Sequence, residues 1–338
     1  ADALGPLVRI PRHPAVLARF GLPALLPATV LGRVLGDERA AALFAGCAGH
    51  SILPLEHVLT SSFGLMLLAS AHVGGWPVAR GGSQAIADAM ASLLTSLGGE
   101  IRCSTVVRTM ADIPPARAVL FDLAPRQVAQ IAGDRLPTRW RRRAERFRHG
   151  PGSCKVDYAL DEPVPWLAEP CRRAATVHVA GTMDELAAAE REVARGRHPE
   201  RPFVLVAQQS VCDPTRAPEG KATLWAYCHV PNGSDVDMSD AIERQIERFA
   251  PGFRDVVRAR HVMTAADLAR YNAAYVGGDI TGGANNPMQL VFRPFPGRPY
   301  RTADPALFLC SASTPPGGGV HGLCGANAAR VALRTVLA

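Results

Sequence analysis

The stretch Leu307–Val331 reads LFLCSASTPPGGGVHGLCGANAARV, and its reading decides the fold. Leu307, Phe308, Leu309 and Cys310 form a short unbroken apolar run, the pattern of a strand covered on both faces. Residues 311–316 break that run. Gly317, Gly318 and Gly319 then let the backbone pass close to a neighbour, because no Cβ stands in the way. From Leu323 onward, Ala326, Ala328, Ala329, Val331 and Ala332 predict a helix that packs closely. A helix start carries unpaired N–H groups and partial positive charge. With glycines before it, such a start suits an anion or an electron-rich ring edge. A tight turn joining a core strand to a core helix has the same residue pattern, so the residues alone leave both readings open.

The same stretch resembles the C-terminal flavin motif of the phytoene desaturase-like flavoproteins. That group includes carotenoid desaturases and isomerases, retinol saturase, and pyridine nucleotide-disulphide oxidoreductase-domain proteins. Their motif is a hydrophobic strand, a Gly/Ser-Ala pair, then Thr-His-Pro-Gly-x-Gly-Ile/Val-x-Gly. Here it stands as Ser311-Ala312-Ser313-Thr314-Pro315-Pro316-Gly317-Gly318-Gly319-Val320-His321-Gly322. Pro315 replaces the common His and Ser311 the common Gly. The resemblance implies FAD as cofactor, with Gly75, Val107, Ser311, Gly318, Gly319, Val320 and Gly322 as its binding positions.

Length and composition fit a large globular chain. Hydrophobic residues make up 48% of 338, enough for a sizeable core. No apolar run is long enough to span a bilayer. Contact with a membrane surface stays open, since a lipid-soluble substrate would favour it. The net charge is +7, and the densest basic run is Arg139, Arg141, Arg142, Arg143, Arg146 and Arg148. A solvated helix face is the plain reading of that run, and no nucleic-acid motif accompanies it. The eight cysteines include no C-x-x-C pair and read as buried free thiols of a reducing, cytoplasmic compartment. The ten histidines show no metal-ligand spacing.

In chain order, residues 12–71 read as mostly helical, with Asp37 as a helix cap and a largely buried helix over 55–71. His50 and His57 read as core or surface histidines, with a substrate-pocket role as the sharper alternative. Residues 83–97 are the clearest amphipathic helix, with Ile86, Met90, Leu93, Leu94 and Leu97 on one face and Gly98-Gly99 as the stop. An extended segment is predicted over 100–110, with Ile101, Cys103 and Val107 pointing inward, and a strand over 118–123. Strands follow over 153–160, 176–180, 203–209 and 223–230. A helix begins at the capping box Thr182/Glu185, and another covers 240–250. Together they predict an antiparallel α+β region over 137–271. Asp279, in the segment Gly277–Gly283, reads as a turn residue or a polar group of the site.

The resemblance organises these pieces. It implies an α/β fold with an α+β part: the C-terminal part of a Rossmann-type FAD domain interleaved with a substrate domain of antiparallel sheet plus helices. Residues 1–72 would be the helical part of the substrate domain, 73–135 an FAD-domain segment, 136–272 the sheet and helices of the substrate domain, and 273–338 the C-terminal FAD-domain segment. Gly74-Gly75 would meet the flavin face and Val107 the adenine end, while the antiparallel sheet would wall a long apolar ligand. The strand plus G-x-G-x-x-G that opens such a domain is absent from the sequence. The expectation is therefore a chain lacking the N-terminal dinucleotide segment of the same protein, which would act as its partner. The implied activity is hydride transfer from a C–C bond of an apolar, isoprenoid or carotenoid-like substrate to flavin. A non-catalytic fragment or apolar-ligand or partner-binding protein is the alternative. His321 is the only titratable group of the glycine loop, as a proton donor or a turn residue.

Overall fold

In the computed structural model, residues 13–337 are described. Two sheets carry the architecture. The smaller is a parallel pair of β1 (Val119–Phe121) and β7 (Leu307–Leu309), with Leu120 opposite Phe308. All three β7 side chains are fully buried, and burial of each stabilises the fold by about 1.5–3 kcal/mol. The helices Pro125–Ala132 and Thr138–Glu145 pack on this pair through Val128, Ala129 and Ala144. Trp140 meets Phe295 edge-on there at 5.1 Å. The Arg run lies on that second helix, where Arg141 pairs with Asp134 and Arg143 lies over Phe295.

The larger sheet is antiparallel, in the order β3 (Thr176–Val179), β4 (Val204–Ala207), β5 (Ala222–Val230), β2 (Gly152–Leu160) and β6 (Val257–Met263). Strand alternation divides its faces. Leu224, Ala226, Cys228 and Val230 of β5 point to one side with Cys154, Val156, Tyr158 and Leu160 of β2. There they meet Ile242 and Ile246 of the helix Ser239–Glu247. The caps form as the sequence dictates: Asp37 accepts from the Ala40 amide at 2.8 Å and Thr182 from the Glu185 amide at 3.2 Å. The helices Glu38–Ala48 and Met183–Ala194 share a core with Phe203.

Several expectations need correction. The helix over 55–71 is Thr60–Gly74, and only Thr60, Ser61 and Gly64 on it are buried. The amphipathic helix forms as Gln84–Ser96, but it buries none of its residues. Met90, Leu93 and Leu97 are 65%, 61% and 77% exposed. Residues 100–110 form no strand, and Ile101 and Cys103 are exposed. A strand needs a neighbour to hydrogen-bond with, and among the described residues none reaches this segment. All eight cysteines are free, with Cys103 and Cys212 at the surface. Among the described residues, no single helix is long and apolar enough to cross a membrane.

His50 and His178 form an unforeseen half-buried pair, with Nε2 atoms 2.9 Å apart. Burial, reinforced by His178 and His229, pushes His50 down to about 3. Burial pushes His178 down to about 4. Between pH about 6.5 and 4 the unfolded chain therefore takes up protons that the native chain refuses, and stability falls as pH falls. Denaturant unfolding across that window should show this slope, and His178→Gln, which keeps a partner for His50, should flatten it. An unchanged slope would mean that the pair does not titrate this way.

Candidate functional site

Both parallel strands end at the same place. Asp122 follows β1 and Ser311 follows β7, so the chain leaves the carboxyl ends of two neighbouring parallel strands, where open α/β sheets form their ligand crevices. A cavity of about 390 Å³ opens there. Asp122, Tyr275, Ile280, Ser311, Ser313, Gly318, Gly319 and Val320 line it. Partial burial raises the Asp122 carboxyl above its ordinary value.

The bend from β7 to the last helix, Leu323–Thr335, is fixed by its own hydroxyls donating outward and by side chains that reach its backbone. Ser311 Oγ donates to the Leu123 carbonyl at 2.8 Å, and Ser313 Oγ donates to the Gly282 carbonyl at 2.7 Å. Tyr300 donates to the Pro315 carbonyl at 2.9 Å. Arg293 is 1% exposed and donates to the Ala312 carbonyl at 3.2 Å and to Asn285 Oδ1 at 2.7 Å. Asn285 in turn donates to the Ser51 carbonyl at 3.1 Å, which ties the bend to the helical region.

Two glycines are required by geometry. Gly319 has φ +144°, a conformation that side chains disfavour. A Cβ at Gly318 would come within 3.1 Å of the Thr281 carbonyl oxygen. Both border the cavity, and Val320 stands at its rim, 93% exposed. Gly322 starts the last helix in the left-handed region with no side-chain cap. His321 Nδ1 accepts from the Leu323 amide at 3.0 Å, so His321 serves the turn. Gly318, Gly319 and Val320 border the cavity, and the last helix begins three residues beyond Val320.

Asp279 is a structural turn residue. It is fully buried and accepts from the Gly150 amide at 2.9 Å, from the Thr281 amide at 2.8 Å and hydroxyl at 2.6 Å, and from His149 Nδ1 at 3.3 Å. Burial alone would raise its carboxyl; these hydrogen bonds outweigh that and hold it below the ordinary value.

The second face of the antiparallel sheet turns toward this site. Trp225, Tyr227 and His229 stand in a row on β5, with Trp225 and Tyr227 stacked at 6.1 Å. Lys155 Nζ lies 5.9 Å from the Trp225 ring and pairs with Asp157. Ile280 packs against this row and also lines the cavity, so it joins the two. Lys155, Trp225, Tyr227 and Arg293 were not flagged by motif. The strict alternation of Thr223, Trp225, Tyr227 and His229 with small apolar residues was the available signal.

Of the expected cofactor positions, Ser311, Gly318, Gly319 and Val320 come together at the cavity, and Gly322 starts the adjoining helix. Gly75 and Val107 do not line it. Gly75 ends the helix Thr60–Gly74 at φ +67°, and a Cβ there would meet nothing within 4 Å.

No family model matches the chain. The chain is 28% identical over 333 residues to pyridine nucleotide-disulfide oxidoreductase domain-containing protein 2 of rat, covering 85% of this chain and 55% of that protein. The mouse protein of the same name is also 28% identical, over 332 residues. The chain thus spans about half the length of the curated relatives it matches. Among solved structures, an oxidoreductase from Methanosarcina mazei superposes with a TM-score of 0.61 at 16% identity, over 96% of this chain and 72% of that one. A variant of putrescine oxidase superposes with a TM-score of 0.55 at 14% identity, over 94% and 69%. The fold is similar to that of these two solved proteins, an oxidoreductase and a putrescine oxidase.

Removing the Asp279 carboxylate leaves the Gly150 and Thr281 donors unpaired beneath the cavity. Asp279→Ala should lower stability by about 3 kcal/mol at neutral pH, measured by denaturant unfolding. The wild-type contribution is present above the unfolded carboxylate's pKa and fades as pH falls through the lower native one, so the two proteins should converge in acid. A constant gap down to the acid limit would contradict this.

Proposed function

We propose that this chain forms the substrate-facing part and one cofactor end of an FAD-dependent oxidoreductase acting on a C–C bond of an apolar substrate. One observation carries the reading: the glycine bend that leads into the last helix borders a cavity at the carboxyl ends of two parallel strands. That arrangement fits the ring end of a flavin. Gly318 and Gly319 allow close approach, and the amides of Gly319 and Val320 with the helix start would hold the electron-rich N1–C2 carbonyl edge. Ser311 and Asp122 line the inner wall.

FAD bound there would supply the hydride acceptor. The chain's own residues do the rest. The helix start stabilises negative charge developing at the cavity edge during reduction. The Trp225–Tyr227 row and Ile280 provide an apolar wall that excludes water from the substrate side. Lys155, paired with Asp157, is the cation of that wall.

The pyrophosphate cradle is absent from this sequence, and we assign it to the N-terminal dinucleotide segment of the same protein. The bare apolar face of the helix Gln84–Ser96 and the unpaired segment 100–110 support such a partner. An exposed face of that kind marks an interaction surface. Carotenoid-like and other isoprenoid compounds are the substrates suggested by the resemblance. A weak surface contact with membrane would suit their delivery.

Flavin fluorescence titration tests the assignment. The chain alone should bind FAD weakly, with Kd above about 10 μM, because only one end of the cofactor is held. Gly319→Val should abolish what binding there is. Tight binding by the chain alone would contradict the assigned cradle, and equal binding by Gly319→Val would contradict the role of the bend.

A further inference from the structure

The helix Thr138–Glu145 and its C-cap turn a row of arginines outward. Arg139, Arg142, Arg143 and Arg146 recur at intervals of three and four residues, so they share one side of the helix. All four are exposed. Among the described residues none of them meets a carboxylate. Arg143 lies 5.2 Å from the Phe295 ring, and the flanking Arg141 is the one that takes Asp134. Arginines elsewhere behave differently: Arg191, Arg248, Arg254 and Arg260 each pair with a carboxylate. Glu145 is the helix's only carboxylate. Like charges at this spacing repel one another, so an anionic surface laid on this face relieves the repulsion and supplies the missing partners.

The opposite face decides which anionic surface fits. Ala144 is buried, and Trp140 packs edge-on against Phe295 at 5.1 Å. The Phe147 ring fills the space beside Gly283, where an added Cβ would stand 2.5 Å from its Cζ. The apolar residues of the segment are thus turned to the core. A helix that lies in a bilayer inserts its apolar face, and this one has none left to insert. A single-stranded nucleic acid stacks its bases on aromatic rings, and both rings here point inward. What faces outward is a row of guanidinium forks about 10 Å long, each able to take a carboxylate through two parallel hydrogen bonds. We propose that this face docks an acidic protein whose Asp and Glu side chains line one helix or strand.

The row leads toward the cavity at the glycine bend. Phe147 follows Arg146 and packs at Gly283, while the neighbouring Gly282 lines that cavity. The Arg148 carbonyl accepts from the Ala284 amide at 3.0 Å. A partner seated on the arginines is therefore linked to the cavity wall through one ring and one hydrogen bond. On the flavin reading above, that partner sits near the cofactor site; the docking itself rests only on the arginine face.

The test titrates the 338-residue protein, without flavin, into fluorescein-labelled poly-L-glutamate at about 20 mM salt and follows fluorescence anisotropy. Saturable binding that weakens as salt is raised is the expected result. The triple variant Arg139→Gln, Arg142→Gln, Arg146→Gln spares the ring contact of Arg143 and should weaken binding about tenfold or more. Its melting temperature should be unchanged or higher, because repulsion is relieved. Arg142→Gln alone, a smaller change to the surface, should weaken binding about twofold or more. Arg39→Gln, Arg80→Gln, Arg201→Gln removes the same charge from exposed arginines of three other segments and should leave binding within about twofold. Vesicles of phosphatidylcholine with about 30% phosphatidylserine and a duplex DNA of about 20 base pairs are the rival surfaces. The proposal is overturned by no saturable binding, by wild-type binding in both variants of the row, or by an equal loss in the scattered variant, which would reduce the effect to net charge. It is also overturned if vesicles or duplex bind more tightly than polyglutamate and lose that binding in the triple variant. No flavin is present, so none of these results depends on whether FAD binds.

Discussion

Everything at the site depends on donors that reach the backbone of the glycine bend from other parts of the chain. The bend is irregular, so its carbonyls have no ladder to join, and buried carbonyls must be paired. Arg293 and Tyr300 supply the missing bonds, to Ala312 and Pro315, and Ser313 of the bend itself donates outward to the Gly282 carbonyl. Arg293 matters most because it also holds Asn285, which holds Ser51. Three distant segments thereby share one rigid frame. Burial lowers the affinity of Arg293 for its proton, and the nearby Asp279 charge offsets part of that effect. A frame of this kind keeps three glycines in one conformation, which glycine by itself would not do.

Two surfaces then face each other across Ile280. One is backbone, presenting amides and a helix start that favour negative charge. The other is the aromatic row of β5, which is apolar apart from Lys155 and Asp157 at its edge. In the proposed reaction, charge would develop on the first side and the second would exclude water. The fully buried His229–Glu190 pair, 2.8 Å apart, continues the row into the core and fixes the end of the strand.

Local patterns carried much of the fold. The alternation in β2 and β5, the caps at Asp37 and Thr182, and the apolar run of β7 were all legible because each depends on neighbouring residues alone. The strand β6 was not, because Val257–Met263 is an edge strand whose exposed Arg258, Arg260 and His261 hide the alternation. Segment 100–110 failed in the opposite sense: its pattern is strand-like, but a strand exists only with a partner. The glycine bend could be read as a site because conformation and close approach leave a residue signature. Arg293 could not, since its importance lies in carbonyls distant in sequence. Gly75 and Val107 were assigned through resemblance, and the geometry that would bring them to the cavity is absent among the described residues.

The most direct measurement is amide hydrogen exchange of this chain with and without saturating FAD. Slower exchange at residues 318–323, with little change at the exposed helix Gln84–Ser96, is the expected result for a flavin ring held against the bend and helix start. Protection confined to other segments while FAD is bound would contradict it, because the ring would then lie elsewhere.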